Sequence, residues 1–329
     1  MTVERLPQFV QCPVLIGRDV ELATLTRLLD ATSAGVGQVG LIGGEAGIGK
    51  SRLVTELQTL AVSQGFLLDL GVCFESDRVL PYAPLIDLLR SAFAARDPQE
   101  LAATLGIYAS DLVGLLPELV LLWPNLPPPA PSDPEQERRR LFYALHRFLT
   151  ARLLTVHAGQ ETPQLIVIED LHWCDDSTLD FLLFLARQLP ARPILLLLTY
   201  RNDEIHPTLA HFLAQLDRMR LGVEMTLSRF QIHETGAAIR AIFDQPRVRA
   251  EFVDALHGLT DGNPFFVEET LKALVVARHL PGTRALDAQA AARVADPAHD
   301  CRRRATPRRR HHPRGAQPVD DGSGRGSPF

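Results

Sequence analysis

A chain of 329 residues, 46% hydrophobic and 22% charged, can bury a sizeable core and has room for one large domain and a smaller one. Its net charge of -5 provides no global basic field of the kind nucleic-acid binding relies on, so any DNA contact would need a local patch. The longest apolar stretches, around Leu112 to Trp123 and Ile194 to Leu198, are too short or too broken by Pro117 and Glu118 to cross a bilayer, and Met1 to Pro7 lacks the pattern of a secretory signal.

In chain order, Leu22, Leu25, Leu28 and Leu29 recur at helical spacing after Asp19, and a turn follows at Gly35 and Gly37. Val39 to Ile42 reads as a strand that runs into glycines, and Leu53, Leu57 and Leu60 then mark one face of a helix. Phe66 to Leu70 reads as a second strand. A long helical region with proline breaks comes next, with a proline-rich surface loop from Pro124 to Pro134. Leu141, Leu145, Phe148 and Leu149 form an apolar helical stripe before Leu165 to Ile168, a run suited to a parallel strand buried on both faces. Asp176 or Ser177 can cap the following helix, which carries Leu179, Leu182, Leu183, Ala186 and Leu189. Ile194 to Leu198 is a further apolar strand.

Strands alternating with helices predict an α/β fold, a parallel sheet covered by helices. After Val223 to Leu227 only helical periodicity remains, through Phe230 to about His279, which predicts a small helical lid. The expected organisation is an N-terminal tail over 1–13, an α/β core over 14–204, a helical lid over 205–279 and a disordered tail over 280–329. Cys12, Cys73, Cys174 and Cys301 form no CxxC pair and no zinc-finger spacing with histidine. They read as reduced thiols, and the expectation is a soluble, cytoplasmic protein with no membrane partner.

The run Gly44-Glu45-Ala46-Gly47-Ile48-Gly49-Lys50-Ser51 fits GxxxxGK[ST], and it lies between a predicted strand and a predicted helix. Its glycines let backbone N–H groups turn inward around a phosphate, and the helix directs its positive end at the same anion. Lys50 would contact the β- and γ-phosphates of ATP, and Ser51 would offer its hydroxyl to magnesium. Such a loop needs an acid at the end of a neighbouring apolar strand. Glu169 occupies the position of a magnesium-associated acid and Asp170 that of the group that polarises water. Arg201, closing the Ile194 to Tyr200 stretch, fits a γ-phosphate sensor and equally a solvated strand end. His172 and Trp173 read as packing residues.

Five motifs together resemble the large ATP-binding regulators of the LuxR type, signal-transduction ATPases with numerous domains and an AAA-like P-loop core. They are Ile16-Gly-Arg-Asp-Val-Glu-Leu22, the glycine loop, Ile168-Glu-Asp-Leu-His-Trp-Cys-Asp175, Leu198-Thr-Tyr-Arg201 and Gly262-Asn-Pro-Phe-Phe-Val-Glu-Glu269, and the resemblance covers about residues 14 to 278. It implies a P-loop NTPase fold, with Arg18 near the adenine, Arg201 as the sensor, and Pro264 closing over the base. It also implies a sheet in which the sensor strand lies between the P-loop strand and the acidic strand. Many relatives carry Asp where this chain has Glu169, and related ATPases often use Glu as the base where it has Asp170, which points to slow turnover.

The resemblance implies a regulatory switch with protein partners or self-association, expected to reach DNA only through an output domain that is not visible in this sequence. A non-hydrolysing ATP-binding scaffold and a DNA-associated loading ATPase are the alternatives; the lid motif argues against a small-molecule kinase. Val294 to Asp300 can be encoded by DNA whose next frame reads Leu-Arg-Ile-Pro-Arg-Thr-Ile, a segment similar to the family's continuation. A frameshift near His279 is therefore expected, against a competing reading of Arg302 to Arg314 as a basic arm on nucleic acid.

Overall fold

The computed structural model describes residues 10–94, 98–127, 132–151 and 162–276. The expected tail over 280–329, Cys301, the Arg302 to Arg314 arm and the proposed frameshift point lie outside the described residues.

Helix α1 (Asp19–Ser33) leads to strand β1 (Gln38–Gly43), the glycine loop and α2 (Lys50–Ser63), followed by β2 (Leu67–Val72). A helical insertion contains α3 (Ala83–Ala94), α4 (Pro98–Leu105), α5 (Leu119–Leu122) and α6 (Pro134–Ala151). Then come β3 (Gln164–Glu169), α7 (Asp176–Gln188), β4 (Ile194–Tyr200), α8 (Pro207–Arg218) and β5 (Gly222–Thr226). The terminal helices are α9 (Ile232–Phe243), α10 (Ala250–Thr260) and α11 (Pro264–Val276).

The five strands form one parallel sheet in the order β2-β3-β4-β1-β5. All residues of β4 are buried because helices cover both faces, which is why its sequence is apolar without alternation. The strand period of two still sorts its side chains. Ile194, Leu196 and Leu198 join the cluster under α3, α6, α7 and α8, whereas Leu195 and Leu197 join the one under α1 and α2. A third cluster, with Ile239, Phe252, Leu256, Val267 and Leu271, belongs to α9, α10 and α11. Since β4 lies between β1 and β3, the carboxyl ends of these three strands, and the residues that follow them, are neighbours.

Three expectations need correction. The α/β core does not stop at residue 204, because α8 packs on α7 and β5 pairs with β1, Gly43 opposite Thr226. As a short edge strand exposing Val223 and Glu224, β5 lacks the burial that marks the central strands. The terminal helical unit therefore begins after it. Residues 10–13 are not simply tail, for Cys12 is buried and its N–H donates to Glu268 Oε1 at 2.9 Å. The cap of α7 is Asp175 rather than Asp176 or Ser177. Its carboxylate accepts from Thr178 N at 3.0 Å and from Tyr82 N at 3.1 Å, so one side chain closes a helix end and fixes the start of the insertion.

Candidate functional site

The glycine loop joins β1 to α2 with Gly47 at φ +73° and Gly49 at φ +100°, backbone that a side chain would strain. Ile48, fully buried, anchors the loop in the α1/α2 cluster. The loop delivers the chain into α2, whose first N–H groups have no acceptor within the helix and whose positive end faces the loop. Lys50 begins this helix. It is buried, its Nζ donates to Gly44 O and Glu45 O, both at 2.9 Å, and burial pushes its ammonium pKa down while Asp170 opposes the shift.

Ser51 Oγ donates to Glu169 Oε2 at 2.6 Å, linking the first turn of α2 to the end of β3. Burial raises the Glu169 pKa and the Ser51 hydrogen bond lowers it. Asp170 has φ 62° and ψ 47°, a left-handed conformation that costs a non-glycine residue about 1 kcal/mol and recurs at functional sites. Its N–H donates to Thr199 Oγ1 of β4 at 3.0 Å. The paired hydroxyl and carboxylate are hard oxygen donors of the sort magnesium takes. Among the described residues no group of three His, Cys, Asp or Glu side chains could hold a metal alone. The oxygen pair therefore fits a magnesium ion that takes its other ligands from phosphate and water.

Arg201 follows β4. Its guanidinium lies over the Trp173 ring, Cζ 4.8 Å from the centroid, and forms an ion pair with Glu204 Oε1. His172, 2% exposed, has no hydrogen-bond partner at either ring nitrogen. Its Nδ1 is 3.9 Å from Asp170 Oδ1 and its Nε2 3.9 Å from Glu204 Oε2. Trp173 packs between them, its ring in contact with both Arg201 and His172.

Lys50, Ser51, Asp170 and Arg201 line a cavity of about 310 Å³. The apolar side chains of Val14, Ile16, Phe230, Pro264, Phe265 and Val267 line it as well. Pro264 opens α11 at this wall. Arg18 also lines the cavity, but its guanidinium is committed to the chain: Nη2 donates to Ile48 O at 3.1 Å and to Ser228 O at 2.7 Å, over the Phe230 ring. Burial lowers its pKa. Glutamine and cysteine at positions 11 and 12 line the cavity too, although the sequence reading placed them in a tail.

The terminal helices touch the glycine loop directly. Asn263 Nδ2 donates to Ala46 O at 3.0 Å, and Phe265 N donates to Gly47 O at 3.2 Å. Arg229 binds Glu45. The sequence pointed to the Gly262 to Glu269 motif but gave no sign of Arg229, which lies 184 positions from its partner.

A family model described as an AAA ATPase domain matches residues 14–197. An uncharacterised protein of Rhizobium meliloti (strain 1021) is 30% identical over an alignment of 270 residues that covers 78% of this chain and 24% of that protein. The chain thus spans about a quarter of the length of this curated relative. Among solved structures, Cdc6p from Pyrobaculum aerophilum is similar with a TM-score of 0.50 at 14% identity, over 83% of this chain and 64% of that one. The Orc1 protein of Aeropyrum pernix, solved in complex with DNA, gives a TM-score of 0.48 at 17% identity, over 88% and 68% of the two chains. At such identities the likeness to Cdc6p concerns the fold alone.

Proposed function

Since the chain belongs to the AAA ATPase domain family, we propose that it binds ATP with magnesium in this cavity and hydrolyses it slowly, as the switch domain of a signal-transduction regulator. The observation that carries this reading is that Lys50, Ser51 with its partner Glu169, Asp170 and Arg201 meet at one cavity that apolar side chains also line.

In this reading the glycine loop and the first N–H groups of α2 hold the β-phosphate, and Lys50 leaves its loop carbonyls for the β- and γ-phosphate oxygens. Ser51, with Glu169 beside it, would hold magnesium, which would supply charge neutralisation for the phosphate oxygens. Asp170 orients the attacking water and accepts its proton at a carboxylate oxygen. Arg201 approaches the γ-phosphate, and the apolar wall from Val14 to Val267 takes the base. Arg18 supports the wall by fixing Ile48 to Ser228.

The switch reading is supported by the contacts of Arg229, just before the terminal helices, and of Asn263 and Phe265 within the helical unit with loop residues Glu45, Ala46 and Gly47. A phosphate that reshapes the loop would alter how those helices dock, exposing or covering a surface for a protein partner or a second copy. The much longer Rhizobium relative fits a module within a larger regulator, and any DNA contact would lie in such additional parts. The buried free thiols of Cys12, Cys73 and Cys174 fit a cytoplasmic setting.

Phosphate release by the purified chain, measured beside Asp170→Asn, tests the proposal. Asparagine tolerates the left-handed backbone, so the variant should fold, bind ATP and turn over about a hundredfold more slowly. Binding without turnover in either protein would replace the hydrolysing switch with an ATP-binding scaffold.

A further inference from the structure

Arg201, which lines the cavity, is restrained by two neighbouring side chains. Its guanidinium carbon lies over the Trp173 ring, 4.8 Å from the centroid, and Glu204, three residues on, neutralises it through Oε1. The second oxygen of the same carboxylate is 3.9 Å from His172 Nε2, which is buried and without a hydrogen-bond partner. The ring packs against Trp173 at a tilt of 46°, centroid to centroid 4.5 Å. A buried nitrogen left unmatched is costly unless another state of the protein satisfies it.

We propose that Glu204 is a latch on Arg201 and that His172 is the seat that receives the latch when it opens. This inference rests on the reading of the cavity as an ATP site. While Glu204 holds Arg201 on Trp173, the arginine offers the γ-phosphate a partly neutralised charge. Drawing Arg201 onto the phosphate separates the ion pair and leaves the Glu204 carboxylate without a partner. A shift of about 1 Å brings Oε2 within hydrogen-bond distance of His172, whose Nε2–H then donates to it, and no proton changes owner. The latch therefore opposes, and the seat favours, the arrangement that only a nucleotide with a γ-phosphate can induce. Both are positioning residues acting through Arg201.

The test compares ATP and ADP affinities, since ADP lacks the group Arg201 would reach. Glu204→Gln should tighten ATP relative to ADP by about fivefold, the scale of an exposed ion pair, and leave ADP unchanged. The gain should vanish in Glu204→Gln combined with Arg201→Ala. His172→Phe, which keeps a ring against Trp173, should weaken ATP relative to ADP, and that loss should vanish in the Glu204→Gln background. Glu204 is exposed, so its replacement leaves the core intact. An unchanged ATP-to-ADP ratio in Glu204→Gln, with wild-type protein binding both nucleotides through Lys50, would overturn the latch and leave the ATP site standing. Equal weakening of ATP and ADP by His172→Phe would reduce the histidine to packing and overturn its role as seat. Wild-type protein that binds neither nucleotide would overturn the site reading and the latch together.

Discussion

Arg229 donates from Nε and Nη2 to a single oxygen of Glu45, at 2.8 and 2.6 Å, so the segment leading into the terminal helices grips a residue of the glycine loop. The same guanidinium pairs with Asp261, in the turn between α10 and α11. The loop and the helical unit are thus joined by a side chain that belongs to neither. Arg229→Ala should loosen this joint without unfolding the core, because exposed pairs contribute little to global stability. Hydrogen exchange should show the Phe265 amide, which donates to Gly47 O, exchanging faster while the amides of β4 keep their protection.

Gly47 meets the helical unit more closely still. A Cβ built on it would lie 2.7 Å from Phe265 Cβ, on backbone that already has φ +73°. At Gly49, with φ +100°, a Cβ would meet nothing within 4 Å. Gly47→Ala should therefore lower stability by more than about 1 kcal/mol in denaturant titration, and by more than Gly49→Ala, which adds backbone strain alone.

Much of this arrangement was legible in the sequence. The runs Leu165 to Ile168 and Ile194 to Leu198 announced central strands because burial on both faces removes every polar residue from them. The glycine loop was readable because its backbone needs glycine at fixed positions. In contrast, β5 was assigned to the lid segment because an edge strand five residues long, with exposed Glu224, carries neither signal. The contacts that complete the cavity were illegible for another reason. Cys12 meets Glu268 across 256 positions and Arg229 meets Glu45 across 184, and no local pattern encodes such pairs.

Magnesium dependence should follow the Ser51–Glu169 pair. Chelating the metal should weaken ATP binding by wild-type protein by about tenfold or more, and Ser51→Thr, which keeps the hydroxyl, should preserve that sensitivity. Ser51→Ala should bind ATP more weakly and respond less to chelation. Calorimetry with and without a chelator measures all three.

Stability should fall on the acid side of neutrality. Burial pushes the pKa values of His146, His172 and His206 below the ordinary histidine value. The unfolded chain takes up protons near pH 6.5 that the folded chain resists, so the stability linked to these rings is complete above about pH 6.5 and is lost as the pH falls through the lower folded values. His206 has a further reason to stay neutral, because its Nδ1 accepts from Leu209 N at 3.3 Å and so caps α8. His206→Asn, a good capping residue, should flatten the decline in denaturation midpoint between pH 7 and pH 5.5, roughly the range in which histidine titrates.

Calorimetric titration of ATP with magnesium into the purified chain, beside Lys50→Ala, tests the central claim most directly. Saturable binding by wild-type protein, weakened about a hundredfold or more in Lys50→Ala, is the expected result. Folded wild-type protein that fails to bind ATP, or a Lys50→Ala variant that binds equally well, would contradict the assignment of the cavity.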